Sequence, residues 1–139
     1  MKWLLDTCVL SELSRKRPDP KALSWMERVQ DDLLFISALT IGELRKGIVA
    51  HRDPLRRKML TKWLEDEVLE PFADTILPVD LEIAERWGEI CGEAERNGHP
   101  RPVVDSLLAA TAIVHGLTVA TRNVGDFSDT GALVFNPFE

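Results

Sequence analysis

Short apolar runs alternate with longer amphipathic stretches along this chain. The first run, Trp3-Leu4-Leu5, stops at Asp6 and predicts a buried strand. Thr7 to Arg15 carries helical spacing and is broken near Pro18 and Pro20. Ala22 to Val29 predicts a second short helix. Leu33-Leu34-Phe35-Ile36 predicts a second strand, and Ser37 behind it is a favoured N-cap for a helix to about His51. Pro54 is tolerated at the start of the next helix, which runs to about Leu69. Thr75 to Val79 predicts a third strand. Asp80 then caps a helix through about Arg96, which Asn97-Gly98 ends. Pro102 opens a helix that closes at Gly116. Leu117 to Ala120 predicts a fourth strand and Ala132 to Phe135 a fifth. Strands separated by helices predict βαβ units and a mainly parallel sheet covered on both faces, an α/β fold. In such open sheets ligands bind beyond the carboxyl ends of the strands.

Composition narrows this picture. The 139 residues are 45% apolar and contain no linker, repeat or low-complexity tract, which predicts a single domain over 1–139. No apolar run approaches the ~18 residues of a membrane span, and Trp3-Leu4-Leu5 is too short for a signal-peptide core. The only cysteines, Cys8 and Cys91, form no CxxC pair. That argues against a zinc site and fits a reducing cytoplasm. The net charge of −6 argues against a nucleic-acid coat protein but not against an enzyme acting on nucleic acid. The run Arg45, Lys46, Arg52, Arg56, Arg57, Lys58 and Lys62 reads equally as a solvated helical face or as a substrate surface.

Four acids fall where that sheet rule puts chemistry. Asp6 directly follows the first strand, where it also reads as the cap of the next helix. Glu43 flanks the apolar stripe Ile41, Leu44 and Ile48, beside Thr40 and Gly47, where an ordinary surface Glu would also fit. Asp105 opens a helix that is apolar nearly all round, from Val103 and Val104 through Leu107 to Val114. A carboxylate there must be hydrogen-bonded, paired or metal-bound, or else serve the helix dipole. Asp126 lies in a polar loop after the fourth strand, beside Gly125, where a turn aspartate is also at home. Four carboxylates brought together raise one another's pKa. A hard divalent cation, Mg²⁺ or Mn²⁺, removes that cost and is suited to oxygen ligands. The histidines His51, His99 and His115 fall at predicted helix ends or in a loop, away from the acids. Trp25, Trp63 and Trp87 sit in helices as core or dimer-face residues.

The opening Leu4-Leu5-Asp6-Thr7-Cys8-Val9-Leu10-Ser11-Glu12-Leu13 resembles the start of PIN-domain proteins, above all the VapC-type toxins of toxin–antitoxin pairs. Ile36-Ser37 with Glu43-Leu44 resembles the family's second acidic motif, Val104-Asp105-Ser106-Leu107-Leu108-Ala109-Ala110 the third, and Thr121-Arg122-Asn123-Val124-Gly125-Asp126-Phe127 the fourth. The likeness implies a three-layer α/β/α fold with a five-stranded parallel sheet. It implies a homodimeric Mg²⁺- or Mn²⁺-dependent endoribonuclease inhibited by a small antitoxin that often binds promoter DNA. Carried over, Asp6, Glu43, Asp105 and Asp126 would be the metal-binding carboxylates. Thr121 and Asn123 would support the fourth acid, with Thr7 a further supporting residue. The family often has Asn where this chain has Cys8, which removes an amide beside Asp6 and bears on support of the ligands.

On this reading Arg45, Lys46 and Arg122 would position RNA through phosphate contacts. Two rivals stand beside it. One is a non-catalytic PIN-fold protein acting through an antitoxin–DNA complex. The other is a Mg²⁺-dependent phosphatase or receiver-like domain, disfavoured by the scarcity of lysine beyond residue 62.

Overall fold

In a computed structural model, which describes residues 1–139, pairs of α-helices, six in all, separate the first four of five short strands. The strands are β1 (Trp3–Leu5), β2 (Leu34–Ser37), β3 (Ile76–Leu77), β4 (Thr118–Ala120) and β5 (Val134–Phe135). The helices are α1 (Thr7–Leu13), α2 (Pro20–Arg28), α3 (Ala38–Ala50), α4 (Pro54–Trp63), α5 (Leu81–Arg96) and α6 (Val103–His115). All the strand pairings are parallel, in the order β3-β2-β1-β4-β5.

Side-chain alternation on the strands builds the three layers. Leu5, Leu34, Ile36 and Ala120 face one core, completed by Val9 and Leu10 of α1, Trp25 of α2, and Leu44 and Ile48 of α3. Leu4 and Val119 face the other, with Leu108, Ala109 and Ala112 of α6. A strand with both faces covered in this way must be apolar throughout, which is why β1 reads Trp-Leu-Leu. Gly116 ends α6 at φ 66°, a left-handed conformation that glycine adopts without steric cost.

Several element boundaries differ from expectation, three of them for a local reason. α2 begins at Pro20 rather than Ala22, because Asp19 caps it by accepting from the N–H groups of Lys21 and Ala22. The proline that reads as a breaker is thus the first helical residue, where no N–H is needed. The stretch to Leu69 is helical, but Leu64–Leu69 winds as a π-helix with Leu64 and Val68 in the core. The third strand shrinks to Ile76–Leu77, since Pro78 has no N–H to give the ladder.

Candidate active site

β1, the central strand, delivers Asp6 to the carboxyl edge of the sheet. The Asp6 N–H still donates to the Ala120 carbonyl, at 3.0 Å, while its side chain caps α1. One carboxylate oxygen accepts the Thr7 N–H at 2.7 Å; the other accepts the Thr121 hydroxyl at 2.8 Å. Asp6 therefore caps α1 with one carboxylate oxygen while the other is held by Thr121. The Cys8 thiol completes the shell, 3.7 Å from Asp6 Oδ2 and 3.6 Å from Thr121 Oγ1. Thr7 in turn donates its hydroxyl to Glu43 Oε1 at 2.6 Å, tying α1 to α3. Burial pushes the Asp6 carboxyl above its ordinary value; the bonds from Thr121, Thr7 and Cys8 oppose this, and Glu43 adds repulsion.

Asp105 lies in the first turn of α6, and no side chain caps that helix at Pro102. Its carboxyl is also pushed up, first by burial and then by the charges of Asp126, Asp6 and Glu43, against a smaller opposing effect of Arg101. The fold therefore brings all four acids into one electrostatic neighbourhood. Asp126 is exposed on a 3₁₀ turn, Val124–Phe127, whose Asp126 N–H donates to the Asn123 carbonyl at 3.0 Å. Arg101 holds the far side of that turn, donating to the Ser128 carbonyl with Asp129 at 3.5 Å.

The donors are all hard oxygens, the class that Mg²⁺ and Mn²⁺ prefer. No three His, Cys, Asp or Glu side chains stand close enough together to hold one metal ion between them. That is compatible with Mg²⁺, which is commonly held by one or two carboxylates with water and substrate phosphate filling the rest of its shell. The group fits by donor chemistry.

Residues 3–133 match the PIN domain family. This chain belongs to that family. It is 37% identical to the VapC ribonuclease Y4jK of Sinorhizobium fredii over 98% of this chain and 97% of that one. It is 36% identical to the toxin FitB of Neisseria gonorrhoeae over 97% of each. It superposes on the solved structure of FitAB bound to an IR36 DNA fragment with a TM-score of 0.91 at 34% identity, covering 99% of this chain and 96% of that one.

Within this PIN fold some expected supports change place. Thr121 bonds the first acid, Asp6, and not the fourth: it directly follows β4, which lies beside β1, so its hydroxyl faces Asp6. Asn123 supports Asp126 through its backbone carbonyl, and its N–H donates to Thr121 Oγ1 at 3.0 Å. Arg122 is engaged within the chain: its guanidinium meets Glu12 Oε1 at 2.7 Å and stacks over Phe138, 3.9 Å from the ring centroid. Lys46 is exposed one turn beyond Glu43, whereas Arg45 is half-buried and turned about 200° round α3 from it. Arg57, Lys58 and Lys62 line a separate cleft of about 590 Å³ between α3 and α4, with Ile48, Val49 and Glu65. Arg57 donates to the His51 carbonyl and Arg56 to that of Ser14.

Sequence reasoning missed Glu12, buried to 4% exposure. The signal was present: Glu12 lies three residues after Val9, on the buried face of α1.

Proposed function

We propose that this chain is a metal-dependent endoribonuclease of the toxin type, with Asp6, Glu43, Asp105 and Asp126 as the residues that hold Mg²⁺ or Mn²⁺. The observation that carries the proposal is the shared field of the four carboxylates. Asp105 is pushed up first by burial and then by the charges of three acids that lie about 20 to 100 residues away in sequence, and that added repulsion is unfavourable without a cation. A bound divalent ion supplies activation of a water and neutralisation of charge on the phosphodiester. The chain's own part is placement. Thr121 and the Thr7 N–H fix the two oxygens of Asp6, and the Thr7 hydroxyl fixes one oxygen of Glu43, leaving the other free. Asp105 on α6 feels the charge of Asp126 on the 3₁₀ turn. RNA is the proposed substrate because the S. fredii relative is named a ribonuclease. An inhibitory antitoxin and a homodimer follow from the toxin name of FitB and the resemblance in the four motifs. DNA contact would come through the antitoxin, in keeping with the DNA-bound FitAB structure.

The test is to incubate the purified protein with total RNA in Mg²⁺, Mn²⁺ or EDTA and to sequence the new 5′ ends. The expected result is discrete, metal-dependent cleavage that disappears in Asp105→Asn. Cleavage undiminished in EDTA, or in Asp105→Asn, would overturn the assignment.

A further inference from the structure

Glu12 is a carboxylate on the buried face of α1, and an unpaired buried charge is costly. Its partners are Arg122 at 2.7 Å and Arg15 at 3.6 Å, and the Arg15 side chain is 64% exposed. Arg122 is therefore the main counter-charge. Its side chain, 44% exposed, is held on two sides: the Glu12 carboxylate meets one edge of the guanidinium and the Phe138 ring lies over its face at 3.9 Å. Phe138 belongs to the C-terminal segment, whose own N–H is pinned by Asn136 Oδ1 at 2.9 Å. The contact thus fastens α1, the segment after β4 and the C-terminal segment together.

The backbone of Arg122 is held as well. Its N–H donates to Cys8 Sγ at 3.4 Å, the thiol that lies against both Asp6 and Thr121. The residue before it supplies the hydroxyl that holds Asp6 Oδ2. A guanidinium locked at one end and a peptide N–H locked at the other leave Thr121 little freedom to leave Asp6.

We propose that Arg122, clamped between Glu12 and Phe138, is a positioning residue that holds the Thr121 hydroxyl on Asp6, and is not an RNA contact. The idea rests on the ribonuclease reading for its kinetic consequence and on geometry alone for its structural one. Arginine suits the task because its planar group accepts a carboxylate and an aromatic face together, which lysine cannot match.

Two readouts test it, in a Cys91→Ser background so that Cys8 is the only thiol. The first is single-turnover RNA cleavage and RNA affinity across a salt series. The second is the rate at which iodoacetamide alkylates Cys8, which needs neither metal nor RNA. Arg122→Gln and Glu12→Gln are each expected to slow cleavage at saturating RNA about 10–100-fold, the range typical of groups that orient metal ligands. RNA affinity and its salt slope should stay within about twofold. Alkylation should accelerate several-fold in both. The double variant, which leaves no unpaired buried charge if a single one folds poorly, should be little worse than either alone. Arg122→Lys should recover only part of the rate. Weaker RNA binding with a salt slope reduced by about one, an unchanged cleavage rate at saturation and unaltered Cys8 reactivity would make Arg122 an RNA contact and overturn the proposal. If the wild-type chain cleaved no RNA, the ribonuclease reading would fail. The thiol measurement would then still decide whether the clamp holds the Asp6 shell.

Discussion

Asp6 and Asp105 carry the same group, and burial pushes both above the ordinary carboxylate pKa. Their surroundings differ. Asp6 accepts a peptide N–H and a threonine hydroxyl, lies against a thiol, and caps α1. Asp105 opens an uncapped helix, where Asp126, Asp6 and Glu43 repel it and only Arg101 opposes them. One side of the site is wired by hydrogen bonds, and the other is balanced by charge. A bonded carboxylate is already oriented before any ligand arrives. A repelled one gains most when a cation arrives. The role proposed for both is therefore supported by the fold at one position and opposed by it at the other.

Removing each acid should expose that asymmetry. Asp6→Ala and Asp105→Asn are both expected to reduce RNA cleavage by more than the ~10–100-fold typical of supporting groups. Their metal-free stabilities should move in opposite directions. Asp6→Ala loses an N-cap and a buried hydrogen bond, a cost of about 2 kcal/mol. Asp105→Asn removes a repelled charge and should raise the melting temperature at neutral pH. Thermal melts in EDTA beside the cleavage assay check both. A destabilised Asp105→Asn would mean that this side is bonded after all.

Support of the wired side should matter more than matching support elsewhere. Thr121→Val deletes the hydroxyl on Asp6 and should lower Mn²⁺ affinity about 10–100-fold. Asn123→Ala should change it little, because Asn123 serves the turn through its backbone carbonyl and N–H, which alanine keeps. Titration of Mn²⁺ followed by thermal shift separates the two.

The charge-balanced side predicts a pH dependence. A carboxyl whose pKa is raised on folding binds more protons folded than unfolded. Its contribution is therefore most favourable below the unfolded value and is lost as pH rises through the folded one. The stability gained by Asp105→Asn should be near zero below about pH 4, the ordinary carboxylate range, and grow above it. Saturating Mn²⁺ should reverse its sign at neutral pH, since the wild-type chain alone keeps all four acids. A gain independent of pH would show that neither burial nor repulsion of the Asp105 charge is its source.

The contrast between the two sides also marks what was legible in the sequence. Asp6, Asp105 and Asp126 stand out as candidates because a strand end, a helix start and a loop behind a strand are local features, and Glu43 because it flanks an apolar stripe; that the other three act on Asp105 through their charges is what the structure adds. The alternation that puts Leu5 and Leu4 into opposite cores was legible too. The wiring was not. Thr121 reaches Asp6 because β4 pairs beside β1, and strand order is a long-range property that no local spacing encodes. Glu12 on the apolar face of α1 signalled the need for a cation, but not that the cation is Arg122, 110 positions away. Pro20 misled because a proline reads as a stop unless the capping role of Asp19 is weighed with it.

The smallest expected effect concerns which side RNA approaches. On the Asp105 side the nearby cation, Arg101, is only 17% exposed and is bonded to Ser128 and Asp129. On the Glu43 side Lys46 is exposed and one helical turn away, so it is free to meet a phosphate. Lys46→Ala should weaken RNA binding a few-fold at low salt and reduce the slope of log affinity against log salt by about one. Arg45→Ala, turned to the other side of α3, should leave that slope unchanged. Cleavage at saturating RNA should be unaffected by Lys46→Ala, because Lys46 holds none of the four carboxylates. If instead Arg101→Gln lowered the slope and Lys46→Ala did not, RNA would approach over the α6 side, and the charge-balanced acids would meet the phosphate first.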